Sequence, residues 1–154
     1  MDKDPSCLAL TDSTLLYCDG ASRGNPGPAG FGVLITNALG ETLFEGGARL
    51  TGPRTNNEAE YAGAIAGLEQ CKALGATRVI VHSDSQLLIR QLQGVYKVKA
   101  VHLQQLHQRA TTLLRSFSMV KLIHIPREQN TRADFIANQA LDGVVSSTAQ
   151  KFSF

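Results

Sequence analysis

The sequence predicts an α/β fold in which helices flank a mixed five-stranded sheet. Three short segments rich in β-forming residues come first, over residues 14–19, 31–36 and 41–50, and the short links between them are typical of an antiparallel meander. Gly46-Gly47 predicts a bulge or bend in the third of these strands. Helical and strand patterns then alternate, as they do where helices cover the faces of a sheet. The predicted element order is therefore βββαβααβα.

The predicted helices have recognisable starts and stops. Residues 55–58 (Thr-Asn-Asn-Glu) match a capping box, with Thr55 at the N-cap and Glu58 at the third helical position. This helix is expected to run to about residue 74, because Gly75 follows and glycine commonly ends helices. The remaining predicted elements are a strand over 77–82, helices over 86–93 and 101–115, a strand over 119–125 and a helix over 132–141.

Length and composition indicate one globular domain. The chain has 154 residues, of which 43% are hydrophobic and 18% charged. The domain is expected to occupy residues 13–142, with loose tails at 1–12 and 143–154. No apolar run approaches the ~18 residues of a membrane span, so no membrane partner is expected. The net charge of +2 does not by itself indicate a nucleic-acid partner, although a local basic face could exist around an acidic site.

Cysteine usage and the polar N-terminus bear on the compartment. The three cysteines form neither a metal-binding nor a CxxC spacing, which is typical of reduced thiols. The first five residues are polar and carry acids, unlike a signal peptide. A cytoplasmic location is therefore expected. The predicted tails at both ends favour a free-standing protein, which is expected to be a monomer.

Two acids follow predicted strands. Asp19 closes the first strand, and Asp84 comes directly after the fourth. Ligands of open α/β sheets gather beyond the carboxyl ends of strands, so these carboxylates are expected to be neighbours. Each also has a purely structural interpretation: Asp19 begins an Asp-Gly turn dipeptide, and Asp84 could cap the next helix.

Two further acids lie in the first turns of helices. Glu60 is about 200° around the helix from Glu58, so the two cannot face one site. Glu60 shares its face with small residues that would let the helix lie close to the sheet, and this would bring its carboxylate to the sheet rim. Asp134 lies in the first turn of the last helix. A negative side chain near a helix N-terminus is favourable in itself, so both acids could instead face solvent.

Four carboxylates from separate elements would form a hard oxygen cage suited to Mg²⁺ or Mn²⁺. Zinc is not expected, because no thiol or histidine cluster accompanies them. Without a dedicated nucleophile, such a cage is typical of two-metal phosphoryl transfer.

Four motifs follow one another along the chain: 17–21 (Tyr-Cys-Asp-Gly-Ala) with 24–28 (Gly-Asn-Pro-Gly-Pro), 55–60 (Thr-Asn-Asn-Glu-Ala-Glu), 83–86 (Ser-Asp-Ser-Gln) and 130–134 (Asn-Thr-Arg-Ala-Asp). With these motifs the chain resembles type 1 ribonuclease H over about residues 15–141. The resemblance implies the ribonuclease H-like fold and an endonuclease that cuts the RNA strand of RNA–DNA hybrids. The products would carry 5′-phosphate and 3′-hydroxyl ends, and the biological role would be removal of primers and R-loops.

The resemblance also implies roles for individual residues. The four catalytic and metal-binding acids would be Asp19, Glu60, Asp84 and Asp134, with two Mg²⁺ or Mn²⁺ ions when substrate is bound. The residues that would contact the hybrid are Asn25, Asn56 and Gln86 in the minor groove, Thr55 at a DNA phosphate, and Arg127 facing the scissile phosphate.

The chain departs from many members of that family in two places. The link 94–101 is short and carries only Lys97 and Lys99, where others have a long lysine-rich protrusion. The loop before Asp134 lacks a histidine, which resembles the archaeal-like branch. A shortened loop could misplace Asp134, which leaves a non-catalytic hybrid-binding module as an alternative. A related resolvase-type nuclease is a second alternative.

Overall fold

A computed structural model describes residues 13–143 as a five-stranded sheet with helices on both faces. The predicted tail 1–12 lies outside the described residues, as does the predicted tail 143–154 apart from Gly143. The predicted element order is confirmed, with a short 3₁₀ turn before the last helix. The elements are β1 (Ser13–Ser22), β2 (Ala29–Thr36), β3 (Thr42–Arg49), α1 (Asn56–Ala73), β4 (Arg78–Ser83), α2 (Gln86–Leu92), α3 (Val101–Arg115), β5 (Met119–His124), the 3₁₀ turn (Arg127–Gln129) and α4 (Thr131–Leu141).

The sheet is mixed, as predicted, and its strand order is β3-β2-β1-β4-β5. β1 is the central strand: it pairs antiparallel with β2 and parallel with β4, and β4 pairs parallel with β5. The meander therefore lies on one side of β1 and the crossover strands on the other. The carboxyl ends of β1, β4 and β5 consequently lie at one edge of the sheet.

β1 does not end at Asp19, which corrects the predicted first strand. Its pairing with β2 continues through Asp19↔Gly32 to Ser22↔Ala29, so the turn is confined to residues 23–28. Asp19 is held inside a paired strand rather than in a turn. Its backbone is fixed on one side by β2, which makes the turn interpretation of this residue wrong.

Small residues bring α1 close to one face of β1. A side chain at Gly20 would overlap the backbone of Ala59, one at Gly63 would lie 3.0 Å from the carbonyl oxygen of Asp19, and one at Gly67 would meet Leu16. The predicted close approach of this helix to the sheet is therefore confirmed. Most of α1 is buried as a result, including Tyr61, Ile65 and Leu68.

The predicted bulge at Gly46-Gly47 is wrong. These residues pair regularly with Val33 and Gly32, and the irregularity in the β2–β3 register lies at Ile35/Thr36 instead. Gly47 has no space for a side chain, because a Cβ atom there would overlap the carbonyl oxygen of Phe31 and meet Ile136 of α4. α4 covers this second face of the meander, where Gly32 lies against the backbone of Ala133 and Ala137.

No helix within residues 13–143 is long and apolar enough to span a membrane.

Candidate active site

A polar cavity of about 280 Å³ opens at the carboxyl-end edge of the sheet. It is lined by Asp19, Glu60, Asp84 and Asp134, which come from β1, α1, the end of β4 and α4. The structure thus brings the four predicted acids together. Its other lining residues are Gly20, Ala21, Ser22, Asn56, Arg127 and Asn138.

Asp19 is the most central of the four acids. It is 5% exposed and points to the face of β1 that carries α4, because it is paired with Gly32. Burial raises the pKa of its carboxyl group from 3.8 to about 8, and the nearby charge of Asp84 and a hydrogen bond with Asp134 add to the rise. The pKa of Asp19 therefore reports a carboxylate held close to other carboxylates and away from water.

Glu60 reaches the cavity from the opposite helical layer. Its side chain hydrogen-bonds with Asp19, and burial, together with the charges of Asp19 and Asp84, raises the pKa of Glu60. Its Oε2 is buried without a hydrogen-bond partner among the described residues. Gly20 makes this approach possible, because any side chain there would overlap the start of α1 next to Glu60.

Glu58 and Glu60 have different roles, as the sequence predicted: Glu58 caps α1, and Glu60 faces the cavity. Glu58 completes the capping box: its backbone N–H donates to Thr55 Oγ1 at 3.1 Å, and its Oε1 accepts from the Thr55 N–H at 2.9 Å. Glu58 also pairs with Arg54 at 3.4 Å. These contacts occupy Glu58 outside the cavity and leave Glu60 as the only glutamate in it among the described residues.

Asp84 is not the N-cap of α2, so that structural interpretation is wrong. Ser85 is the N-cap, and its Oγ accepts from the backbone N–H of Leu88 at 3.2 Å. The carboxylate of Asp84 is instead held by Asn130, whose Nδ2 donates to Asp84 Oδ1 at 2.9 Å. Asp84 is therefore free of a capping role and is oriented toward the cavity by a neighbouring side chain.

Asp134 lies in the first turn of α4, as predicted. Asn138, one turn later, donates its Nδ2 to the Asp134 carbonyl oxygen at 2.9 Å and to Oδ1 at 3.4 Å. The exposed Arg127 lies 3.9 Å from Asp134 Oδ1. The short loop before α4 thus leaves Asp134 in the same cavity as the other three acids.

Cys18 does not belong to the donor set. It is fully buried in the core on the opposite face of β1 from Asp19, and burial raises the pKa of its thiol. A neutral buried thiol is a poor ligand. The donors in the cavity are therefore carboxylate and amide oxygens, which suit a hard divalent cation.

The cavity fits such a cation in charge and chemistry. Four carboxylates face one small space, Glu60 keeps an unpaired buried oxygen there, and burial together with the charge of Asp84 raises the pKa of Asp19. Within residues 13–143, however, no three His, Cys, Asp or Glu side chains form a ready-made metal site as they stand. The four acids are gathered in one cavity without forming a closed coordination shell.

The predicted substrate-contacting residues lie in different positions relative to the cavity. Asn56 and Arg127 line it. Asn25 is tied to its edge, because the Asn56 N–H donates to Asn25 Oδ1 at 3.0 Å. Thr55 is adjacent and serves as the N-cap of α1. Gln86 is the exposed first residue of α2 and does not line the cavity.

The two asparagines that hold the acids are not among the predicted site residues. Asn130 appears in the sequence only as the first residue of the 130–134 motif, and Asn138 belongs to none of the motifs. The spacing of Asn138 from Asp134, four residues on a helix, is a signal that could have found it. For Asn130 the chain offers only its position before α4, which is equally typical of an ordinary N-cap.

Comparison with known proteins identifies the family. Residues 17–140 match the protein family described as "Reverse transcriptase-like". The chain is 42% identical over 135 residues to "Bifunctional protein Rv2228c" of Mycobacterium tuberculosis, which covers 88% of this chain and 37% of that protein. It is 43% identical over 126 residues to "Ribonuclease HI" of Halobacterium salinarum, which covers 82% of this chain and 63% of that protein.

A solved structure gives the same result. LC11-RNase H1, isolated from compost, was solved in complex with an RNA/DNA hybrid. It superimposes with a TM-score of 0.80 at 42% identity and covers 86% of this chain and 99% of that one. The mixed sheet with helices on both faces has the ribonuclease H fold of these solved structures. The chain belongs to the type 1 ribonuclease H family.

The chain spans less than two thirds of the length of the two named relatives, 37% of the mycobacterial protein and 63% of the halobacterial one. It matches almost the whole of the chain in the LC11 structure.

Proposed function

We propose that this chain is a divalent-metal-dependent endoribonuclease that hydrolyses the RNA strand of RNA–DNA hybrids. The observation that carries the proposal is the convergence of Asp19, Glu60, Asp84 and Asp134 in one cavity. The hybrid bound to LC11-RNase H1, which is 42% identical, supports the choice of substrate. The products would carry 5′-phosphate and 3′-hydroxyl ends, and the cellular role would be removal of primers and R-loops.

The four acids would hold Mg²⁺ or Mn²⁺. Two ions bound there would supply a nucleophile active at neutral pH and positive charge at the attacking and leaving oxygens. The chain itself contributes the arrangement: β1 fixes Asp19, α1 carries Glu60 over Gly20, and Asn130 holds Asp84. Burial of Asp19 and Glu60 excludes water from one wall of the site and strengthens their attraction to a cation.

The edge of the cavity supplies groups that could recognise a hybrid. RNA is distinguished from DNA by its 2′-hydroxyl and by groove shape. Asn25 and Asn56, joined by their hydrogen bond, place amide groups beside the acids. Arg127 is 78% exposed beside Asp134 and is free to meet a phosphate.

Residues outside the cavity would contribute little to the affinity for the hybrid. Lys97 and Lys99 are exposed in the link between α2 and α3, and Tyr96 is 47% exposed beside them. Two lysines neutralise few phosphates, so binding would depend on the contacts at the cavity edge and fall as salt rises. Gln86 would add a minor-groove contact from the start of α2.

A cytoplasmic location and a monomeric state belong to the same proposal. Cys18 and Cys71 are free and buried, which agrees with a reducing compartment.

The test is cleavage of a hybrid labelled on the RNA strand, with Mg²⁺, with Mn²⁺ and with EDTA. Single-stranded RNA, double-stranded RNA and double-stranded DNA are assayed in parallel as alternative substrates. We expect cation-dependent cutting of the RNA strand of the hybrid, lost in Asp19→Asn. Asp142→Asn is the matched control, because Asp142 is an exposed acid that pairs with Arg23 outside the cavity.

Two outcomes would contradict the proposal. Binding of the hybrid without cleavage under either cation would leave a non-catalytic hybrid-binding module. Equal cutting by the wild type and Asp19→Asn would remove the four acids from the chemistry.

A further inference from the structure

The buried side-chain amide of Asn130 joins one of the four acids, Asp84, to the backbone of β1. Its Nδ2 donates to Asp84 Oδ1 and to the carbonyl oxygen of Cys18, both at 2.9 Å. Cys18 directly precedes Asp19 in β1. The carbonyl oxygen of Asn130 accepts the backbone N–H of Asp134 at 3.1 Å. One residue thus touches the end of β4, the backbone of β1 and the first turn of α4.

The orientation of this amide is fixed by its neighbours. The two groups that face Nδ2 are a carboxylate and a carbonyl, and both can only accept hydrogen bonds. An inverted amide would place Oδ1 against two acceptors, so the NH₂ group must face them. Asn130 is the N-cap residue of α4, yet its side chain makes no capping hydrogen bond. Its amide is therefore committed to Asp84 and β1 rather than to its own helix.

The side-chain oxygen of Asn130, Oδ1, indicates that this residue does more than stabilise the fold. Asn130 is 2% exposed, and its Oδ1 has no hydrogen-bond partner among the described residues. A buried acceptor left unpaired is unfavourable. A residue present only to stabilise the fold would be expected to satisfy both ends of its amide. The arrangement instead satisfies only the end that donates to Asp84.

We infer that Asn130 is a positioning residue: it fixes the Asp84 carboxylate against β1 and α4, and it thereby sets the affinity of the cavity for a divalent cation. The inference rests on the proposed function. Side chains that orient metal-binding groups typically change metal affinity about 10–100-fold when they are removed. Asn130→Ala would leave Asp84 able to rotate away from the other acids. Asn37→Ala is the matched control, because Asn37 also holds a carboxylate, donating its Nδ2 to Glu41 Oε1 at 2.8 Å, but lies in the β2–β3 turn outside the cavity.

The experiment measures the dissociation constant of Mg²⁺ by calorimetry and the Mg²⁺ concentration for half-maximal hybrid cleavage. For Asn130→Ala we expect both values to rise about tenfold, with the KM for the hybrid at saturating Mg²⁺ unchanged. Asn37→Ala should leave both values unchanged. A merely structural role would instead lower the melting temperature in EDTA and leave the Mg²⁺ dependence of both measurements unchanged, which would overturn the inference.

Two further arms keep the test decisive. If Asn130→Ala does not fold, Asn130→Ser keeps a hydroxyl donor and is measured in the same way. Mg²⁺ affinity unchanged in that folded variant, with its hydrogen bond to Asp84 lost in a crystal structure, would also overturn the inference. Failure of the wild type to cut hybrid with either cation would contradict the proposed function. Normal wild-type cleavage with an unchanged Mg²⁺ dependence in Asn130→Ala would contradict only the role of Asn130.

Discussion

The backbone N–H of Asn56 donates a hydrogen bond to the side-chain Oδ1 of Asn25 at 3.0 Å. This contact joins the turn after β1 to the first residue of α1, across 31 residues of sequence. It leaves the NH₂ group of the exposed Asn25 pointing away from Asn56 and available to a ligand. Asn56 itself lines the acidic cavity. The two asparagines therefore act as one unit at the edge of the site.

Removing the Asn25 side chain should weaken substrate binding more than chemistry. Asn25→Ala loses both the contact with Asn56 and the exposed amide, while the four acids keep their own supports. We expect the KM for hybrid to rise about tenfold, equivalent to about 1.4 kcal/mol, with kcat within about twofold. Steady-state kinetics on a defined hybrid would measure both constants.

Asn37→Ala is the control for that substitution. Asn37 makes similar turn contacts, accepting the N–H groups of Leu39 and Glu41 at 3.0 Å, but it lies in the β2–β3 hairpin. The KM of the Asn37→Ala variant for the hybrid should equal that of the wild type. A fall in kcat with unchanged KM for Asn25→Ala would contradict a role in binding.

Asp19→Asn should stabilise the metal-free protein at alkaline pH. Burial and the charge of Asp84 raise the pKa of Asp19 from 3.8 to about 8, so the folded protein keeps a proton that the unfolded chain releases at lower pH. The free energy of unfolding therefore falls as pH rises from about 4 through about 8. Asparagine does not ionise and avoids this loss. We expect a gain of about 2 kcal/mol at pH 9, or roughly 4–8 °C in melting temperature.

Thermal unfolding in EDTA at pH 4, 7 and 9 would measure this effect. The difference between Asp19→Asn and the wild type should grow with pH, and Asp142→Asn should show no such growth. Added Mg²⁺ should stabilise the wild type and have little effect on Asp19→Asn, because the variant lacks the central charge. A difference that is the same at every pH would show that the carboxyl group of Asp19 does not titrate as described.

The capping box of α1 should contribute measurably to stability. Thr55→Ala removes the acceptor of the Glu58 N–H and should lower the free energy of unfolding by about 1 kcal/mol. Thr55→Ser keeps the hydroxyl group and should retain most of that stability. Urea denaturation of the three proteins would test this. Loss of hybrid affinity in Thr55→Ala at full stability would instead favour the phosphate contact implied by the family resemblance.

Gly20→Ala should be strongly destabilising because its side chain has no space. The added methyl group would overlap the backbone of Ala59 and Glu60, which cannot move without shifting α1. We expect a loss of about 3 kcal/mol. Gly52→Ala is the comparison: nothing lies within 4 Å, and its φ of +71° should cause a smaller loss of about 1 kcal/mol. Equal losses in denaturant unfolding would show that α1 can move away from β1.

The sequence predicted the element order, the capping box and the separation of Glu58 from Glu60, because periodicity and capping are local signals. It placed the end of β1 too early, since the Asp-Gly dipeptide is typical of turns and the pairing of Ser22 with Ala29 cannot be read from β1 alone. The role of Asn130 was not predictable for the same reason. Its partners, Asp84 and Cys18, are 46 and 112 residues away in the chain, and only the packing of α4 against the sheet brings them together.

The absence of a side chain at Gly20 has a consequence for how this site is held together. Asp19 and Asp134 belong to the layer of α4, whereas Glu60 belongs to the layer of α1 on the other side of β1. Because Gly20 has no side chain, Glu60 of α1 can approach β1 closely enough for its carboxylate to lie beside those of Asp19 and Asp134. Any sliding of either helix relative to the sheet would pull these carboxylates apart. The site therefore requires that the two helices stay aligned. Substitutions deep in either helical layer should change the spacing of the carboxylates even where the substituted residue does not contact an acid.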